Sequence, residues 1–131
     1  MIKVFVYGTL MKGEVNAHLL TNATCIETSC WTNGLLYDTG FGYPAMVPSL
    51  QHRTYVELYV VTESEIKLLD ELEDYKENGD NNLYNRVKQL IYTDNNSTYA
   101  YVYIANQDNL LERKVPFGDW KAYRTNNCKK L

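Results

Sequence analysis

No run of apolar residues in this chain approaches the roughly twenty needed to cross a bilayer as a helix. The opening Ile2-Lys3-Val4-Phe5-Val6 stops at Tyr7-Gly8-Thr9, short of the apolar core of a secretory leader, so a cytoplasmic protein is expected. Cysteine is sparse. Cys25, Cys30 and Cys128 are an odd number without metal-ligand spacing, which argues for reduced thiols and against a disulfide scaffold. The sequons at Asn22, Asn95 and Asn96 carry weight only on a secreted chain. Histidine is sparser still. His18 and His52 are both expected at the surface, and no Ser-His-Asp or Cys-His set stands in a recognisable context, so nucleophilic catalysis has little support. There is no excess of basic charge either. Thirteen Lys and Arg against sixteen Asp and Glu give a net charge of −3. That balance argues against nucleic acid as a partner and gives no attraction to an anionic membrane. No cofactor or metal is hinted at.

What remains is an ordinary globular composition, 45% hydrophobic and 22% charged, in 131 residues read as a single domain spanning 1–131. A chain of this size can bury one sizeable core without a staple. Tyrosine is the unusual residue, with twelve copies. Its apolar body and polar tip suit a polar pocket, but aromatic residues also favour strands, and both uses stay open. A tyrosine-rich surface equally leaves open a homodimer. Tyr99, Tyr101 and Tyr103 alternate with Ala100, Val102 and Ile104, as in a strand with two unlike faces.

Strands are predicted over Ile2 to Tyr7, Gly34 to Tyr37, Ala45 to Val47 and Thr54 to Val61. A hairpin of Val87 to Tyr92 and Thr98 to Ile104 turns at Asp94-Asn95-Asn96-Ser97. A short helix is expected between Gly13 and Leu20, and a polar surface loop at Glu77 to Asn82. One strong helix runs from Glu63 to about Glu73, opened by the capping box Thr62-Glu63-Ser64-Glu65. Many strands and few helices predict an α+β fold, a small mixed and largely antiparallel β-barrel with flanking helices.

Three places attract attention. In the strong helix, Ile66, Leu68, Leu69 and Leu72 define an apolar stripe, with Lys67, Asp70 and Glu71 pointing away from it. At about 100° per residue Glu73 falls between the directions of Leu69 and Ile66, in the last turn. Glu65 falls on that side too, and its role as a cap explains it. Burial and the negative end of the helix both raise a carboxyl pKa, which suits acid/base chemistry near neutral pH. Helix geometry alone also allows Glu73 to swing out to water. The second place is Tyr7-Gly8-Thr9-Leu10, where a strand end and a glycine can expose several backbone amides to an anion, or can simply turn. The third is Leu83-Tyr84-Asn85-Arg86-Val87. Tyr84 either brings a hydroxyl near Glu73 or packs on a sheet face, and Arg86 is a candidate surface ion-pair residue.

The order of these segments resembles the γ-glutamylcyclotransferase superfamily, in particular its short bacterial and AIG2-like branches, including γ-glutamylamine cyclotransferases. The matching stretches are Val4 to Leu10, Gly34 to Asp38 through Tyr43 to Val47, Glu57 to Val61, Leu68 to Tyr75, Leu83 to Arg86, Ala100 to Tyr103 and Gly118-Asp119-Trp120. Each is short, and their joint order over residues 4 to 120 is the specific signal. One departure stands out: Val56 replaces a glycine that many members carry before the Glu-Leu-Tyr strand motif, which bears on local strand geometry and pocket shape.

The resemblance implies a small barrel and a cofactor-independent reaction on a small γ-glutamyl substrate. The free α-amine attacks the γ-carbonyl, giving 5-oxoproline and a released amine or amino acid. It places the family's catalytic glutamate on Glu73, its carboxylate-binding loop on Tyr7, Gly8, Thr9 and Leu10, and its pocket tyrosine on Tyr84. The Gly42-Tyr43-Pro44 turn is then a candidate pocket wall. If only the backbone amide of Thr9 is used, Thr9→Ala should cost little. The alternative is a non-catalytic domain on the same fold that holds an amino-acid-like ligand. The leaving group itself is not legible.

Overall fold

Among the described residues, runs of valine, isoleucine and tyrosine build six strands, and five of them close on themselves. The computed structural model describes residues 2–129, with side chains described through Thr125; the Cys128 side chain lies outside that range. In chain order the elements are β1 (Ile2–Val6), β2 (Thr24–Asp38), β3 (Pro44–Val61), α1 (Glu63–Leu72), β4 (Tyr84–Tyr92), β5 (Ser97–Ala105), β6 (Arg113–Lys114) and α2 (Trp120–Lys129). The sheet runs β3-β1-β5-β4-β2, and β3 pairs again with β2 to close the barrel, with β6 appended to β2. Among the described residues only β1 and β5 run parallel, through Val4 and Tyr101; the other pairings are antiparallel. The expected mixed, largely antiparallel barrel is the observed one. No helix among the described residues is long and apolar enough to cross a membrane.

β1 lies between β3 and β5, and Val4, Phe5 and Val6 are buried in succession. An uninterrupted apolar run is what a strand covered on both faces requires. Phe5, Leu36, Met46, Val56, Ile91 and Val102 fill the interior. Val56, the departure from glycine, is therefore core, and it does not line the pocket described below. Its strand accommodates it opposite Cys30, where the β2–β3 register shifts between Glu27 and Cys30.

Several elements differ from the sequence expectation. The short segments around Gly34, Ala45 and Thr54 belong to two long strands, β2 and β3. Between Asn33 and Gly34 the register jumps from Arg53 to Pro48, so residues 49–52 bulge outward with Leu50 exposed. A bulge breaks the apolar alternation without ending the strand, which is why the sequence reads as two pieces. The helix expected from Gly13 is a single 3-10 turn, Ala17–Leu20. α2 was not anticipated, because its first residues bury only Trp120 and part of Tyr123. Its start is nonetheless marked, with Asp119 accepting from the Ala122 amide at 3.1 Å.

α1 opens with the expected capping box: Thr62 accepts from the Glu65 amide and Glu65 from the Thr62 amide. Its buried face is rotated from the expected stripe. Ile66 and Leu69 are buried, whereas Leu68 and Leu72 are 50% and 39% exposed. The inward face runs through Ile66, Leu69, Asp70 and Glu73, a spacing of three, four and seven. Asp70, expected to point at solvent, is half-buried against the barrel, where Arg86 and Tyr103 compensate its charge.

Candidate active site

A pocket of about 320 Å³ opens where β1 ends, beside the end of α1. Glu73 sits in its wall as the residue that caps α1, its amide donating to the Leu69 carbonyl at 3.0 Å. Asp74 follows with a positive φ of 52°, which turns the chain away from the helix axis at this point. Glu73 keeps some exposure along its length, but protein atoms crowd its carboxyl. Burial pushes the carboxyl pKa up to about 7.

The loop after β1 lines the same pocket. Gly8, Thr9 and Leu10 all line the pocket. The loop is held from behind: Met11 donates to the Gly8 carbonyl, the Asn16 amide to the Thr9 carbonyl at 2.8 Å, and the Asn16 side chain to the Thr9 hydroxyl at 3.1 Å. Glu57, buried in β3, accepts from the Lys12 amide, from Tyr59 and from Lys121 of α2, and so ties the far end of the loop to the barrel. Among the described residues no group accepts from the amides of Gly8, Thr9 or Leu10. Three free amides in one turn can hold an anion. Gly8 is required there, because a Cβ would stand 2.5 Å from Cγ and 2.7 Å from Cδ of Pro44.

Both predicted tyrosines reach the pocket, and both spend their hydroxyls on backbone. Tyr7 donates to the Tyr103 carbonyl at 2.7 Å and accepts from the Met46 amide. Tyr84 donates to the Pro44 carbonyl at 2.7 Å. Burial raises the pKa of each, and the Glu73 charge adds to the rise in both. The distance left open by the polar loop between Glu73 and Tyr84 is closed by Asn82. Its side chain pairs with both the amide and the carbonyl of Lys76, and Leu83 donates to the Asp74 carbonyl. The Gly42-Tyr43-Pro44 turn lines the pocket as well.

Arg86 does not line the pocket. It pairs with Asp70 at 2.8 Å, between the rings of Tyr75 and Tyr101, while Tyr103 donates to the same carboxylate at 2.6 Å. This network joins α1 to β4 and β5. His18 and His52 are exposed. The sequence reading missed Tyr103, Asn16, Phe41 and Leu83 in the pocket and Glu57 behind it. Tyr103 had a signal in its alternating strand; the others lie on loops or carry no periodic mark.

The fold and pocket define a small closed barrel that can take a small anionic molecule on backbone amides beside one buried carboxyl. The family model described as "Gamma-glutamyl cyclotransferase, AIG2-like" matches residues 4–122, and the chain belongs to that family. A Niallia circulans protein named Gamma-L-glutamyl-butirosin B gamma-glutamyl cyclotransferase is 37% identical over 126 residues, 95% of this chain and 78% of its own length. Gamma-glutamylaminecyclotransferase A of Danio rerio is 32% identical over 114 residues, 78% of this chain and 68% of its own. The crystal structure of YkqA from Bacillus subtilis superposes with a TM-score of 0.80 at 29% identity; the match covers 98% of this chain and 42% of that one.

Proposed function

We propose that this chain cyclises a γ-glutamyl group to 5-oxoproline and releases the amine it was attached to, with Glu73 carrying the proton. The observation that carries this reading is that one small pocket is lined both by a buried carboxyl, its pKa pushed up to about 7, and by a loop with three free backbone amides. The substrate α-carboxylate binds the amides of Gly8, Thr9 and Leu10 in charge-assisted hydrogen bonds. Anchored there, the γ-glutamyl chain curls until its α-nitrogen meets its own γ-carbonyl carbon. Glu73 takes a proton from the α-ammonium, and the freed amine attacks. A C–N bond forms in the ring, the original amide C–N bond breaks, and Glu73 returns the proton to the departing nitrogen. The second surplus proton of the ring nitrogen follows, and the amine leaves as its ammonium ion. No water is consumed. Proton transfer of this kind contributes about 10²–10⁴-fold, or roughly 3–5 kcal/mol of barrier, and positioning supplies the rest.

The test is release of 5-oxoproline from a panel of γ-glutamyl amino acids and γ-glutamyl amines. The wild-type protein is expected to release it from at least one member. Glu73→Gln, nearly isosteric but unable to shuttle a proton, is expected to lose about 10²-fold or more while still binding substrate. Full turnover by the Gln variant would remove Glu73 from the mechanism. Binding without release across the whole panel would favour a non-catalytic pocket.

A further inference from the structure

The loop that carries the free amides is tied to the far end of the chain, because α2 places two cations against its anchors. Arg124 meets Glu14 of the loop with two bonds, Nε to Oε1 at 3.0 Å and Nη2 to Oε2 at 2.7 Å. Lys121 donates to Oε2 of Glu57 at 3.1 Å, while Oε1 of the same carboxylate accepts from the Lys12 amide of the loop at 2.9 Å. Lys12 and Glu14 stand between the segment Gly8 to Leu10 and Asn16, whose amide and side chain hold Thr9.

The carboxylates are the buried members of these pairs. The side chains of Glu14 and Glu57 are 5% and 7% exposed, those of Arg124 and Lys121 47% and 38%. A pair between two exposed side chains contributes little. Here, withdrawing the cation leaves a carboxylate taken from water without its partner, and the loop has to move to rehydrate it. The helix also has anchors of its own. Trp120 is buried, and the Tyr123 hydroxyl donates to Asp38 of β2 at 2.7 Å. α2 is therefore fixed to the barrel by one set of contacts and to the loop by another. The family match ends at residue 122, so Arg124 lies beyond it.

We propose that α2 is a clamp on the pocket loop, with Lys121 and Arg124 as positioning residues that hold the amides of Gly8, Thr9 and Leu10 where the substrate α-carboxylate binds. This rests on the cyclisation reading above. Neither cation lines the pocket, so each acts through the loop. The α-carboxylate is unchanged by the reaction, so its anchor contributes alike to ground state and transition state. A loosened anchor then raises KM and spares kcat. A helix that only stabilised the fold would do the reverse: its loss would leave fewer active molecules, a lower apparent kcat and the same KM.

The experiment measures initial rates of 5-oxoproline release by the full chain, on the γ-glutamyl compound of the panel that the wild type turns over fastest. Lys121→Met and Arg124→Gln are each expected to raise KM about threefold or more, with kcat within about twofold of wild type. Glu14→Gln combined with Arg124→Gln should raise KM no further than the larger of the two single changes, because both break one link. A wild-type KM in both Lys121→Met and Arg124→Gln, a lowered kcat at unchanged KM, or additive effects of Glu14→Gln and Arg124→Gln would overturn the clamp and leave the cyclisation standing. No 5-oxoproline from the wild type on any γ-glutamyl amide or amino acid would bring down the cyclisation and the clamp's role in substrate binding with it.

Discussion

On the proposed mechanism, Glu73 would couple catalysis to stability through one proton. Its carboxyl rises from 4.5 to about 7 on folding, a preference for the protonated form worth roughly 3 kcal/mol. Between those two values the folded state holds the proton more tightly than the unfolded chain does. Stability therefore falls as pH rises from about 4.5 through 7. Glu73→Gln removes the penalty, so thermal melts of variant and wild type should coincide near pH 4 and separate at pH 8, with the variant higher. In the same pH series, wild-type kcat/KM should climb with pH through about 7, as a base in the free enzyme requires. A flat profile over that range would exclude Glu73 as the base. Gly8 works differently, by having no side chain. In Gly8→Ala the new Cβ meets the Pro44 ring at 2.5 Å, and relief of the overlap should cost about 1–3 kcal/mol. Substrate KM should rise with it, because the displaced segment carries the free amides; calorimetry and initial rates check the two effects separately. Glu73 was legible because it lies near an apolar direction of a strongly marked helix. Asp70 was not, since its burial depends on Arg86 and Tyr103, which reach it from 16 and 33 residues away in sequence.

α1 illustrates how an element can be located correctly and oriented imperfectly. Its capping box marks the start, but four leucine and isoleucine positions suggest a wider stripe than the barrel accepts. Two of those residues stay exposed, and Leu72 lines the pocket mouth instead. The register of the helix is set by the Asp70 clasp. Asp70→Ala would leave the half-buried Arg86, whose own buried Nε already has no partner, without its carboxylate. A loss of about 2–3 kcal/mol is expected in denaturant titrations. Because the clasp acts on Glu73 only by holding its helix, kcat should fall while the pH limb near 7 stays in place. The long strands carry the opposite lesson. β3 looked like two short segments because the bulge at residues 49–52 interrupts its pattern, and pairing across the barrel overrides that local interruption; of β2 only Gly34 to Tyr37 was read as strand.

At the scale of the molecule, barrel closure depends on β1. It pairs with β3 over Ile2 to Val6 and with β5 through Val4 and Tyr101. Native hydrogen exchange should place the amides of Val4 to Val6 and Val102 among the slowest, reporting global opening, with residues 49–52 exchanging quickly. Rapid exchange in β1 would mean that the barrel opens at that seam. The same arrangement has a bearing on synthesis. The ribosome delivers β1 before either of its neighbours, β3 and β5, both of which come much later in the chain. The Tyr7 hydroxyl, at the start of the pocket loop, finds its acceptor on Tyr103, 96 residues downstream. A nascent chain halted before β5 would already contain Glu73 and the glycine turn but would lack the strand that brings the seam together. Contacts this distant in sequence are slow to form. Catalytic competence should therefore arrive late and abruptly during translation, and arrested chains of increasing length should show no turnover until β5 has cleared the exit tunnel.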